Sequence, residues 1–223
     1  LTVKKLTTEP EESLVDWERV RKDEGYNPNL YVIPPPKEGV SEKEKSGVTM
    51  LGGIDLGQGT KDKVYNIIND LGIPEEESRF FKKAVDKVSG LKGPAARAAY
   101  SSLDLELLTE VSLFLDAYGS NIQNAYNKNE EPKIEKSYNT VAGATGIQFK
   151  ELPQEWRTAV ASAHRQYGAA TMSGYNFYKE IAKGDFSAAI DNLNNWGDQT
   201  PGYADSINNR YARYGTELTI PDW

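Results

Sequence analysis

The sequence predicts a predominantly helical α+β fold: a small N-terminal helix-and-strand lobe, residues 1–59, and a larger helical lobe, residues 60–223. Three observations carry this expectation. An amphipathic run ending at Glu24 is followed by two short apolar segments rich in β-favouring residues. From Thr60 the apolar spacing becomes that of a helix, with Val64, Ile67, Ile68 and Leu71 on one face before Gly72 and Pro74 stop it. No later segment has a clear strand pattern.

In the first lobe a helix is expected from about Glu9 to Glu24, because Pro10 and the acids Glu9, Glu11 and Glu12 favour a helix start and Gly25 stands where a stop belongs. Leu30 to Ile33 reads as a strand, Pro34-Pro35-Pro36 as a rigid extended break, Val40 to Ser46 as a charged loop, and Val48 to Leu51 as a second strand. In the second lobe further helices are expected at Glu75 to Val88, Pro94 to Leu103, Leu105 to Asn127, Gln154 to Tyr167, Asn176 to Lys183, Asp185 to Asn195 and Tyr203 to Tyr214. Glu75-Glu76-Glu77 after Pro74 is an acidic helix start, not a metal site. Asn139 to Gly146 reads as a polar, glycine-bearing surface loop.

Composition narrows the function classes. The chain of 223 residues has 38% hydrophobic and 26% charged residues, ordinary for a globular protein. Its longest apolar runs, such as Val111 to Leu115, are far below the roughly 20 residues that cross a bilayer, so no membrane partner is expected. No basic, apolar, small-residue leader opens the chain, and a start at Leu1 suggests a trimmed or excised domain. Zero cysteines and a single histidine, His164, exclude thiol nucleophiles, Cys-rich zinc sites and any centre with two imidazoles; no metal or cofactor is expected. His164 lies in a helical segment and reads as a packed or surface imidazole rather than a catalytic base. A net charge of −7, with scattered Lys and Arg, argues against nucleic acid as a partner.

The candidate site is a pair of carboxylates with a hydroxyl. Glu24 closes its helix and can project past the last turn, whereas Asp55 lies in the glycine-flanked run Leu51-Gly52-Gly53-Ile54-Asp55-Leu56-Gly57-Gln58. Thr49, six residues before Asp55, could share a bound water with it. Two acids and a hydroxyl fit hydrolysis of a glycosidic bond. Thirteen tyrosines, four tryptophans and many side-chain amides would suit a sugar-lined groove, although aromatics at helical spacing are more often core. Tyr31, Gln58 and Gln199 are the expected substrate-binding residues. Glu38-Gly39 is a second acid-glycine pair, and Glu24 is preferred because a helix end fixes a carboxyl where a charged loop does not.

Several motifs in order resemble a known family. Arg21-Lys22-Asp23-Glu24-Gly25 resembles the first helix of phage-type lysozymes, whose acid-glycine pair supplies the catalytic glutamate. Ser46 to Gln58, with Ser-Gly-Val-Thr and Asp-Leu-Gly-Gln, is similar to the signature of pesticin-type muramidases, a branch of the same fold in which the aspartate follows the threonine. Leu152-Pro153, Gln166-Tyr167-Gly168 and the run from Asn176 through Trp196, Gln199-Thr200-Pro201 and Arg210 to Leu218 resemble the later helices of phage-type lysozymes. The chain departs from the ordinary phage pattern in having no aspartate about nine residues after Glu24, which makes Pro34 to Lys45 an insertion.

The resemblance implies a lysozyme-like two-lobed fold with Glu24, Thr49 and Asp55 facing a groove. It also implies a peptidoglycan hydrolase cleaving the β-1,4 bond between N-acetylmuramic acid and N-acetylglucosamine; inversion is expected, with room for a water between the carboxyls, whereas carboxyls about 5 Å apart would make Asp55 a nucleophile. Glu24 would be the general acid, and ionised Asp55 with Thr49 would orient the water. The implied partner is the peptidoglycan glycan strand, met by a monomer in the periplasm or wall of a target bacterium. Delivery by phage lysis, bacteriocin import or secretion stays open, as does a cognate immunity protein. Two rivals remain: a lytic transglycosylase using Glu24 alone, and a catalytically silent wall-binding domain.

Overall fold

The computed structural model describes residues 13–24, 27–32, 46–199 and 205–222. The described chain is mainly helical, with one three-stranded antiparallel sheet in the order β1-β2-β3: Tyr31–Val32, Val48–Met50 and Ile54–Asp55. Ahead of the sheet lies α1 (Trp17–Glu24). After it come α2 (Lys61–Asp70), α3 (Glu75–Val88), α4 (Gly93–Ser101) and α5 (Leu105–Lys128). Then follow α6 (Glu131–Ala142), α7 (Gln154–Tyr167), α8 (Ala169–Met172), α9 (Asn176–Lys183), α10 (Phe186–Asn194), α11 (Trp196–Gln199) and α12 (Asp205–Glu217).

Chain contacts gather into two compact units, Glu18–Glu130 and a second composed of Leu1–Trp17 with Glu131–Trp223. No break falls at residue 60, because the strands and the helices after them share one core. Strand alternation sends Val32, Val48, Met50 and Ile54 to the same apolar cluster as Val64, Ile67 and Ile68 of α2, Phe81 and Val85 of α3, and Val111, Phe114 and Ile122 of α5. Phe81 and Phe114 stack there at 4.7 Å. Each fully buried side chain of this size contributes about 1.5–3 kcal/mol.

The second unit is built on aromatic packing. Trp196 stacks on Tyr211 at 4.3 Å and donates its indole N–H to the Tyr167 hydroxyl at 2.9 Å. Tyr178 is buried and donates to the Val160 carbonyl at 3.0 Å. Trp196, Tyr211 and Tyr178 are core, and Tyr167 is half-buried beside them. Glu131, also buried, accepts from the Ser13 hydroxyl, the Leu14 N–H and the Trp17 indole, the last at 2.7 Å.

Several expected boundaries move. The helix that ends at Glu24 begins at Trp17, not Glu9: Glu131 takes the Leu14 N–H, the Ser13 hydroxyl accepts from Val15 N, and Asp16 N donates to Thr158 Oγ1, so residues 14–16 spend their backbone donors outside a helix. Glu9 to Glu12 lie outside the described residues, as do Ile33 to Lys45 with the proline run and Glu38. Asn139 to Ala142 are not loop but the last turn of α6, a helix the expectation lacked. Its buried stripe is short, Ile134 and Tyr138, with Tyr138 set edge-on to Tyr178 at 5.4 Å.

Candidate active site

The three strands place Tyr31, Thr49 and Asp55 in one row. Tyr31 is the partner of Thr49 across β1–β2, and Thr49 is the partner of Asp55 across β2–β3. Residues directly opposite in a ladder project to the same face, with Cβ atoms about 4.5–5.5 Å apart. Val48, Met50 and Ile54 take the face of the apolar cluster, so the row belongs to the other face. Thr49 is buried and Asp55 half-buried.

Asp55 ends β3 and caps a single 3-10 turn, Leu56–Gln58. Its Oδ1 accepts from the Gly57 N–H at 2.8 Å and from the Gly47 N–H at 3.0 Å, while Oδ2 accepts from the Gln58 amide at 3.3 Å. The two amides converge because glycines meet there. A Cβ on Gly47 would stand 2.6 Å from Gly57 Cα and 2.6 Å from the Leu91 carbonyl, and one on Gly57 would stand 2.7 Å from that same carbonyl. No side chain fits at either position without moving backbone. The loop is tied down further by Gly90 N to Leu56 O at 3.0 Å and Gly93 N to Ser46 O at 2.9 Å.

Gln58, expected to bind substrate, lies beside Asp55 and also accepts from Lys92 Nζ at 3.1 Å. Glu24 is the last described residue of α1 and belongs to the same compact unit as Thr49 and Asp55. Gln199 lies on α11 in the other unit. Gly25 is outside the described residues. His164 sits half-buried on α7, also in the other unit. Among the described residues no group of three or more His, Cys, Asp or Glu is arranged to hold a metal ion, and no helix is long and apolar enough to cross a membrane.

Sequence reasoning missed what holds the row in place. Leu51, in the turn between β2 and β3, has φ +49°, the one positive value outside glycine among the described residues. Gln123 of α5 donates to its carbonyl, and Gln123 accepts from Arg21 Nη1 of α1 at 3.2 Å. The available signal was spacing: Val111, Leu115, Gly119 and Gln123 recur every four residues, which puts an amide on the buried stripe of α5.

Residues 14–187 match the family model described as Bacterial toxin homologue of phage lysozyme, C-term. A comparison with curated proteins finds no match. The helical α+β architecture is thus that of a lysozyme-like protein, and this class supports a peptidoglycan-lytic function of the glycoside hydrolase type. The chain belongs to the Pesticin family. The match covers the Glu24 helix and the row of site residues and ends at Ser187, short of Gln199.

Proposed function

We propose that the protein is a muramidase that hydrolyses the β-1,4 bond between N-acetylmuramic acid and N-acetylglucosamine with inversion. In this reading Glu24 protonates the departing oxygen, and the Asp55 carboxylate with the Thr49 hydroxyl holds the water on the opposite face of the sugar. Tyr31 and Gln58 contact the glycan, and residues 1–59 carry the catalytic groups.

The observation that carries the reading is the register of Thr49 opposite Asp55. A hydroxyl and a carboxylate on neighbouring cross-strand positions can share one water. Gly47 and Gly57 both donate to Asp55 Oδ1, whereas Oδ2 is met, among the described residues, by the long contact from Gln58, which makes it the oxygen suited to a nucleophilic water. Inversion requires the two carboxyl groups about 6.5–9.5 Å apart, whereas about 5 Å would make Asp55 a nucleophile.

The rival reading, a lytic transglycosylase acting through Glu24 alone, draws on the same cap, since two backbone amides give Asp55 a sufficient structural reason to be there. A silent wall-binding domain is the third outcome. Mass spectrometry of fragments released from peptidoglycan separates them: new reducing ends are expected, anhydro-sugar ends would make it a transglycosylase, and no release would leave a binding domain. The role we assign is that of a monomeric antibacterial or lysis domain acting on the wall of a target bacterium.

A further inference from the structure

We propose that Gln123 is a positioning residue that holds the helix of Glu24 and the hairpin of Thr49 and Asp55 in mutual register, with Gly119 as the second half of the same clamp. The inference rests on the muramidase reading for the roles of the three site residues. Its observations are independent of that reading.

Gln123 is fully buried on α5, the longest described helix. Its amide serves two elements at once. Nε2 donates to the Leu51 carbonyl, in the turn between Thr49 and Asp55, and Oε1 accepts from Arg21, three residues before Glu24 on α1. Arg21 Nη1 also donates to Asn124 Oδ1 at 2.9 Å, so the helix is gripped by two consecutive residues of α5.

The turn it grips is one the backbone does not choose by itself. A leucine at φ +49° sits in the left-handed region, where a non-glycine residue costs on the order of 1 kcal/mol and persists only when its surroundings over-determine it. Leu51 is over-determined on every side. Its N–H donates to the Pro28 carbonyl at 3.3 Å, and Gly52 N donates to the Asn27 carbonyl at 2.9 Å, both acceptors lying just beyond α1. Its buried side chain occupies the space that a Cβ on Gly119 would need, with Leu51 Cδ2 2.7 Å from that point. Gly119 and Gln123 lie four residues apart, hence on one face of α5. One glycine and one amide therefore receive the side chain and the carbonyl of the same strained residue.

The functional consequence follows from the geometry of a two-carboxyl site. Acid and base act on opposite faces of one sugar, so their separation has to be held to a fraction of an ångström, and a displacement of about 1 Å can cost 10²-fold in rate. Thr49 and Asp55 are the two ends of the hairpin that Leu51 turns, and Arg21 fixes the helix that ends in Glu24. Gln123 is the single side chain among the described residues bonded to both.

The test uses Gln123→Met, which keeps the shape and removes both bonds, and Gly119→Ala, which crowds Leu51 from the apolar side while raising the helix propensity of α5. Two readouts are taken on each: kcat and KM on soluble peptidoglycan glycan chains, and amide hydrogen exchange at Gly52 and Gly53. In Gln123→Met kcat should fall about 10- to 100-fold with KM within about threefold, and exchange at both glycines should accelerate. Gly119→Ala should move both readouts the same way by less. An active parent with unchanged kcat in Gln123→Met overturns the positioning role, and unchanged exchange overturns the clamp. A parent that cleaves no glycan overturns the muramidase reading, while exchange still judges the clamp. Should Gln123→Met not fold, Gly119→Ala decides by both readouts.

Discussion

Thr49 and Asp55 stand directly opposite each other across the β2–β3 ladder, and Tyr31 continues the row on β1. The hairpin between them contains Leu51 in a left-handed conformation and two glycines with positive φ. A hydroxyl and a carboxylate six residues apart in sequence thereby become nearest neighbours on one face of the sheet.

Asp55 carries two roles that different substitutions separate. Asp55→Asn keeps an oxygen for the Gly47 and Gly57 amides and removes the carboxylate. Wall lysis should fall about 10² to 10⁴-fold with unfolding free energy within about 1 kcal/mol of the parent. Asp55→Ala loses the cap as well and should cost a further 0.5–2 kcal/mol or about that, read by urea denaturation. Equal activity in the parent and Asp55→Asn would leave Asp55 a cap only.

Gly47→Ala tests the glycine contact behind that cap. Its Cβ would stand 2.6 Å from backbone atoms of Gly57 and Leu91, which cannot rotate away as a side chain could. We expect destabilisation of about 1–3 kcal/mol by thermal unfolding, together with reduced lysis, because the amides of Gly47 and Gly57 would part around Asp55 Oδ1. Parent-like Tm and activity would contradict the contact.

Thr49→Val keeps the shape and removes the hydroxyl. The barrier should rise by a few kcal/mol at most, less than for loss of either carboxyl, since Asp55 can still orient water. Thr49→Glu puts a carboxylate where it could displace the water and attack the sugar itself, giving product of opposite anomeric configuration. NMR of freshly released product reads this directly, and retention in the parent would remove the water-holding role.

Glu24→Gln should nearly abolish lysis, by about 10² to 10⁴-fold, and Glu38→Gln should change little. Turbidity clearing of a wall suspension is the assay. Full activity in Glu24→Gln with loss in Glu38→Gln would transfer the acid role to Glu38.

Acid stability should depend in part on Asp104, the cap of α5. The Leu107 N–H donates to its carboxylate at 2.8 Å and, as the largest cause, holds its pKa below the usual aspartate value. A lowered folded-state pKa means that the cap contributes fully above the ordinary aspartate range and is lost as pH falls through the lowered value. Asp104→Asn retains an acceptor that does not titrate, so its unfolding free energy should fall less steeply than the parent's between about pH 5 and pH 2. Parallel slopes would show that this carboxylate adds nothing to acid unfolding.

Much of the fold was legible because its signals are local. The expected bounds of α3, α7 and α9 coincide with the observed helices: Pro74 and Pro153 precede two of them, and Gly168 and Gly184 follow two. The strand at Val48 was likewise expected, and in the structure Val48 and Met50 join the apolar cluster. The candidate residues Tyr31, Thr49, Asp55 and Gln58 were named from the sequence; the sheet aligns the first three, and the turn after β3 sets Gln58 beside Asp55.

By itself the sequence determined the helical periods, the face each strand turns to the core and the residue types on the polar face, since each depends on spacings within one turn or one pleat. The tertiary structure alone decided that the helix ending at Glu24 starts at Trp17, that α6 forms over Glu131–Ala142, and that Leu51 turns left-handed against Gly119 and Gln123. Those outcomes rest on Glu131 meeting Ser13 and Trp17 across more than a hundred residues, and on Gln123 meeting Leu51 and Arg21 from a distant helix. Buried polar groups take whatever partner the packed chain brings within about 3 Å, and no local period encodes which partner that is.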